Sequence, residues 1–363
     1  MRNLKFVTLL LIIVMGLTAC NRTTEPEGPA VIETETEVVE VIGEIEIVEE
    51  TNDRSYLTGE YVGETARNRR PFAIMLNNII NACPQAGIEK ASIVYEAPVE
   101  GSMTRLMGIF DDISGMEKIG SVRSCRDYFP MMAIEYDAFY VHFGQAVYAF
   151  DLLNSELVDN ISGLSYQPQA GDIYGYAGEE VFYRTSDRVA PHNCYTNEEG
   201  LEKAIKTLSY RREHEDDFKS KFQFAGDEET IELEGGSATK ITPGYIVNEP
   251  WFEYRDGKYA RFQYEEPQID ELTEEQLLYT NIIFQVAESE FYDENGYLDI
   301  DTMSGGEAYY FTNGTYEKCT WKRTSETSPA RYYGADGQEI VLNQGKTWVC
   351  IILANSVENI VIE

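Results

Sequence analysis

The chain has 363 residues, of which 63 are acidic and 29 basic, giving a formal net charge of -34. That excess excludes a nucleic-acid-binding role and broad docking on anionic lipid, because both need a net basic face. The length suits two domains, each with its own core.

The first twenty residues predict the compartment. Arg2 and Lys5 precede the run FVTLLLIIVMGLTA, and Cys20 follows Leu17-Thr18-Ala19. This apolar run is too short to span a bilayer as a helix but suits a signal peptide. A small residue before cysteine is the lipobox pattern, so residues 1–20 are expected to direct export, diacylation of the Cys20 thiol (a palmitate-type anchor) and cleavage before it. Residues 21–64 carry thirteen acids and two bases. Their alternation has a strand-like period, yet nothing in it neutralises so dense a like charge. They read as an acidic tether with a root-mean-square span of roughly 35 to 40 Å, or in part as an added edge strand of the folded part.

Residues 65–213 predict an α/β (or α+β) N-terminal domain. PFAIMLNN, ASIVYEAPV, TRLMGIF and AFYVHFG read as buried strands, interleaved with the helix-like stretches RDYFPMMAIEYD and QAVYAFDLLNSEL. A further helix, NEEGLEKAIKTLSYRREHE, places Leu201, Ala204, Ile205 and Leu208 on one face. Residues 214–244 read as a polar connector. Residues 245–363 predict a mainly antiparallel β domain, because Asp256-Gly257, Asn295-Gly296, Asn313-Gly314 and Asp336-Gly337 are turn dipeptides flanked by aromatic or β-branched residues.

Within these elements, RPFAIMLNN, PQAGIEKASIVYEAPVEGSMTRLMGIF, IGSVRSCRDYF, AFYVHFG, APHNCYT, GGEAYYFTNG and LNQGKTW resemble the YerB-like family of bacterial lipoproteins, over essentially all of residues 65–350. The resemblance implies an N-terminal domain, a C-terminal domain and a lipid anchor; it implies no activity. Cys83, Cys125 and Cys194 depart from the family pattern, which implies that the family's chemistry is not cysteine chemistry. A nucleophilic Cys125, beside two arginines and a helix start, would nonetheless be physically sensible.

The best site candidate is IGSVRSCRDYF. Ser124 and Asp127 have capping-box spacing, and Arg123 and Arg126 flank the same positive helix end, where their charge needs compensation. Arg105 is a third cation, and Arg188 and His192 in RVAPHN stand ready to close the site from a loop. Two arrangements fit. In one, the arginines hold a phosphate or carboxylate; in the other, they answer Glu96 and Glu100, which an even spacing would put on the same side of a strand. His142 is either a base at the mouth of the sheet or a hydrogen-bonded structural residue.

No spacing for a metal ligand set and no nucleotide, hydrolase or cofactor motif occurs. Trp321 with Lys322 and Trp348 with Lys346 offer cation and indole pairs for a sugar or peptide, or else for packing. Cys319 and Cys350 each lie two positions from a tryptophan in mirrored order. Antiparallel pairing would set them opposite each other, as a disulfide or as two buried thiols.

Two functions follow. The first is a membrane-anchored, non-enzymatic interaction module for a cell-envelope protein or wall polymer. The second is a binder or modifier of a phosphate-bearing envelope ligand, held by Arg105, Arg123 and Arg126.

Overall fold

Five stretches of this sequence are apolar on both faces, and they become the middle of one mixed sheet. The computed structural model describes residues 54–63 and 68–363. Ten strands form the sheet: β1 (Phe72–Asn77), β2 (Ile93–Pro98), β3 (Thr104–Phe110), β4 (Phe139–His142), β5 (Asn160–Ser162), β6 (Asn281–Ala287), β7 (Gly306–Thr312), β8 (Thr315–Lys322), β9 (Arg331–Tyr333) and β10 (Thr347–Leu353). Their spatial order is β9-β8-β7-β6-β10-β2-β3-β1-β4-β5. Strands β1, β4 and β5 run parallel to one another, β3 is antiparallel to both its neighbours, and β6 to β9 form an antiparallel meander.

The N-terminal segment is thus a mixed sheet with helices, and the C-terminal segment is mainly antiparallel β. One expectation is corrected: the two segments do not have separate cores. β10 lies between β2 and β6 and is parallel to both, with Ile93 and Asn281 each opposite Thr347. The hydrophobic period of two then builds one core on each face from both segments. Met75, Tyr95 and Met107 pack with Ile283 and Val349 on one face, while Ile74, Val94 and Leu106 pack with Phe284 and Trp348 on the other.

Helices α1 (Tyr128–Ile134), α2 (Phe150–Leu153) and α3 (Glu198–Leu208) are short. Asn197 caps α3 by accepting from Gly200 N, and Leu201, Ala204 and Ile205 are its buried face. A second, six-stranded antiparallel sheet, formed by residues 240–242, 251–255, 258–263, 266–267, 278–279 and 361–362, covers the Trp348 face. Its Asp256-Gly257 turn has positive φ at both residues, as does Asn313-Gly314 between β7 and β8. No helix among the described residues is long and apolar enough to cross a membrane.

Cys20 and the tether up to residue 53 lie outside the described residues. The end of the expected tether is not extended chain. Tyr56 and Leu57 are buried in the core, and Arg54 binds the Asp227 carboxylate through Nη2, so burial of an aromatic and a leucine draws this end of the segment into the fold. The connector is likewise not wholly polar: Phe222 and Phe224 are buried, and Gln223–Phe224 pairs with Val341–Leu342.

The Cys319–Cys350 disulfide is also corrected. Cys319 on β8 faces Ala308, Cys350 on β10 faces Glu96 and Phe284, and β7 and β6 lie between them. Three strand spacings put the two strands about 14 Å apart, beyond the roughly 4.4 to 6.8 Å that a bridge spans between Cα atoms. The two residues also belong to opposite cores, and both are free thiols. Trp321 and Trp348 go with them, each buried, so neither offers a stacking platform.

Candidate anion site

The carboxyl ends of β1, β4 and β5 bring Asn77, His142 and Ser162 to one edge of the sheet, where parallel strands present their loops. Residues 119–126 run across this edge. Val122 bridges Leu76, the Arg123 amide donates to Met75 O at 3.0 Å, and the Cys125 amide donates to Gly144 O at 2.8 Å. A second segment lies on top of it. The Val122 amide donates to Cys194 O at 2.7 Å, and Cys194 faces Arg184 across a short antiparallel pair.

The expected capping box does not form. Ser124 Oγ donates to Phe143 O at 3.2 Å, α1 begins only at Tyr128, and its N-cap Asp127 makes no side-chain cap bond. The anion reading therefore loses its helix terminus and rests on side chains alone.

The arginines divide into two kinds. Arg126 is neutralised: its Nε and Nη2 donate to both oxygens of Glu100, and its Nη1 donates to Cys125 O at 2.7 Å. Burial pulls its pKa down, but Glu100 outweighs burial and holds the guanidinium charged. Arg105 and Arg123 have no salt-bridge carboxylate among the described residues. Arg105 is buried on β3, and its guanidinium donates from Nη1 to Ser124 O at 2.5 Å. Burial, then the charges of Arg126 and Arg123, pull it down to about 9. Arg123 is half-buried, its Nε is enclosed without a partner, and burial followed by Arg126 and Arg184 lowers it too. Arg184 is exposed, donates from Nη1 to Asn193 Oδ1 at 2.9 Å, and has no acidic partner among the described residues.

The remaining predicted residues scatter. Glu96 does not meet these arginines. It is fully buried on the opposite face, accepting from Arg261 Nη2 at 2.6 Å, Thr104 Oγ1 at 2.8 Å and Asn248 Nδ2 at 2.8 Å. The expectation that Glu96 and Glu100 share a face fails because β2 ends at Pro98 and the chain turns through residues 100–102.

Arg188 is spent on its own fold, donating to Ala82 O and Pro84 O, each at 2.8 Å, and to Glu271. His192 does approach the cluster: its Nδ1 lies 2.9 Å from Asn77 Nδ2, and burial, then Arg123 and Arg188, lower its pKa. His142 is not a base at a mouth. It is buried, its ring nitrogens lie 2.8 Å from Gly144 O and 2.7 Å from Asn160 Oδ1, and burial pulls it down to about 4. Cys125 is no nucleophile either, because burial pushes its thiol up to about 12.

Sequence reasoning missed Arg184, Asn77 and Arg261. The absence of any acid in the stretch FYRTS, in so acidic a chain, was a signal for Arg184; nothing local marked the other two.

A mixed sheet built jointly by two successive segments, with uncompensated arginines at one end, defines a two-part α+β protein. Both parts match family models. Residues 57–211 match "Protein of unknown function (DUF3048) N-terminal domain" and residues 241–349 match the corresponding C-terminal domain. The chain belongs to this family, the YerB-like family that its sequence resembles. It is 29% identical over 305 residues to "Putative lipoprotein YerB" of Bacillus subtilis strain 168, which spans 82% of this chain and 85% of that relative. The crystal structure of the Bacillus subtilis YerB protein matches with a TM-score of 0.71 at 27% identity, covering 85% of this chain and 99% of that one.

Proposed function

We propose that this is a lipid-anchored protein of the extracytoplasmic face of the cell membrane, which works by binding an envelope protein or wall polymer rather than by covalent chemistry. The anchor rests on the lipobox at Cys20 and on the lipoprotein name of the relative. One observation carries the binding role: where cationic side chains gather, the thiols and the central histidine are held out of reaction. Burial pushes Cys125 up to about 12 and Cys194 up to about 11, and both nitrogens of His142 are already engaged. What remains are hydrogen-bond donors, which bind.

Membrane fractionation with protease treatment of intact protoplasts tests the reading. The wild type is expected in the membrane fraction and open to external protease, and Cys20→Ala is expected in the soluble fraction or unprocessed. Unchanged membrane association of Cys20→Ala overturns the anchor.

A further inference from the structure

The guanidiniums at the carboxyl end of the sheet form a graded series: Arg184 is exposed, Arg123 half-buried and Arg105 buried. None has a carboxylate partner among the described residues, although the chain carries 63 acids. Backbone contacts hold the three together, since Arg105 reaches Ser124 O and Arg184 faces Cys194, which accepts from Val122. Asn77 lies directly opposite Arg105 on the adjacent strand and orients His192. Beside Arg184 opens a groove of about 400 Å³, whose lining includes Phe143, Ser165, Phe182 and Cys194, with Glu179 as its single carboxylate.

We propose that Arg105, Arg123 and Arg184, with Asn77 and His192 beside them, bind the phosphate group of a small phosphate-bearing ligand whose remainder occupies this groove. The assignment goes beyond the partner-binding role argued above and adds a small-ligand site to the same protein. Charge decides between oxyanions. Three cations have no salt-bridge carboxylate among the described residues; a monocarboxylate would leave most of that charge uncompensated and a dicarboxylate divides its two charges between separate groups, whereas a phosphate group brings close to two charges to one compact centre. Geometry agrees, because planar guanidinium forks match phosphate oxygens two at a time. The enclosed, unpartnered Nε of Arg123 is a donor that folding alone has left without an acceptor. Burial first, and then the repulsion between neighbouring guanidiniums, lowers Arg105 and Arg123, and the repulsion is relieved when a dianion enters.

Calorimetric titration of the detergent-solubilised full-length protein tests this, with inorganic phosphate, pyrophosphate and succinate as probes. Wild type should bind pyrophosphate saturably and succinate not measurably. Arg123→Ala and Arg184→Ala should each weaken pyrophosphate binding by at least about tenfold, the worth of a charge-assisted hydrogen bond. Arg123→Lys should recover part of that loss, and Arg211→Ala, whose guanidinium pairs with Asp137 outside the site, should show no loss. Ligand-free melting of Arg123→Ala should stay at or above the wild-type value, which separates lost binding from lost folding. Absence of saturable pyrophosphate binding by the wild type, equal binding of succinate, or wild-type affinity in both alanine variants would each reject the site. The Cys20→Ala fractionation reads out independently, so failure here leaves the anchored-protein reading standing.

Discussion

At the scale of single residues, this protein keeps two sorts of buried charge. Glu96 and Arg261 are fully enclosed, and the guanidinium packs against both the Phe252 and Trp348 rings, 4.6 Å from each centroid. Arg261→Ala strands Glu96 in the interior and is expected to cost about 3 to 5 kcal/mol. Urea denaturation would measure it, and pairing it with Glu96→Gln should recover part of the loss. Asp111, half-buried, is the second sort. Its Oδ2 accepts from Ser55 Oγ, and desolvation, against the hydrogen bonds of Ser55 and Ser92, pushes its pKa up to about 6. A carboxyl whose folded value exceeds its unfolded value of about 3.9 favours the fold when protonated. Its contribution is complete below about pH 4 and lost as pH rises through about 6. Relative to Asp111→Asn, the wild type should therefore lose stability between pH 4 and pH 7, seen as falling urea midpoints. Equal pH profiles of the two proteins would refute this role for Asp111.

At the scale of elements, the free thiols give the sharpest check. Cys83, Cys125, Cys194, Cys319 and Cys350 are all free, and burial pushes every one of them above the ordinary thiol range. Native protein at pH 8 should react slowly with a thiol reagent, and five thiols besides Cys20 should titrate after unfolding without reductant. Recovery of a Cys319–Cys350 linked peptide would contradict the strand order. The strands themselves were legible: TRLMGIF is β3 residue for residue, and Asp256-Gly257 and Asn313-Gly314 are tight two-residue turns, whereas Asn295-Gly296 lies in the longer loop between Phe291 and Leu298 and only the glycine of Asp336-Gly337 has positive φ. Runs buried on both faces and positive-φ turns are local properties, so local sequence carries them. Partnership is not local. Glu96 finds Arg261 165 positions away, and β10 finds β2 across most of the chain. The bend after Pro98 that separates Glu96 from Glu100 was equally hidden, because an even spacing predicts one face only while the strand continues. Of the site, Arg105 and Arg123 were visible as cations in an acidic chain and His192 as a loop residue beside them, and Arg126 meets Glu100, one of the two acids that the sequence offered it.

At the scale of the molecule, sharing one sheet between two segments makes the described body a single cooperative unit. Denaturation followed by tryptophan fluorescence and by far-ultraviolet circular dichroism should give coincident transitions. Residues 65–213 expressed alone should fail to give one, because β2 would expose the edge that β10 covers. Two separate transitions would restore independent domains. The position of β10 also has a consequence for how the protein is made. The strand that joins the halves, Thr347–Leu353, is the last in chain order of the ten strands of its sheet. A chain synthesised from its amino end can assemble β1 to β5 and, later, the β6 to β9 meander, yet each waits with an open edge until β10 has appeared. Closure of the sheet therefore depends on its final strand rather than proceeding strand by strand as the chain grows.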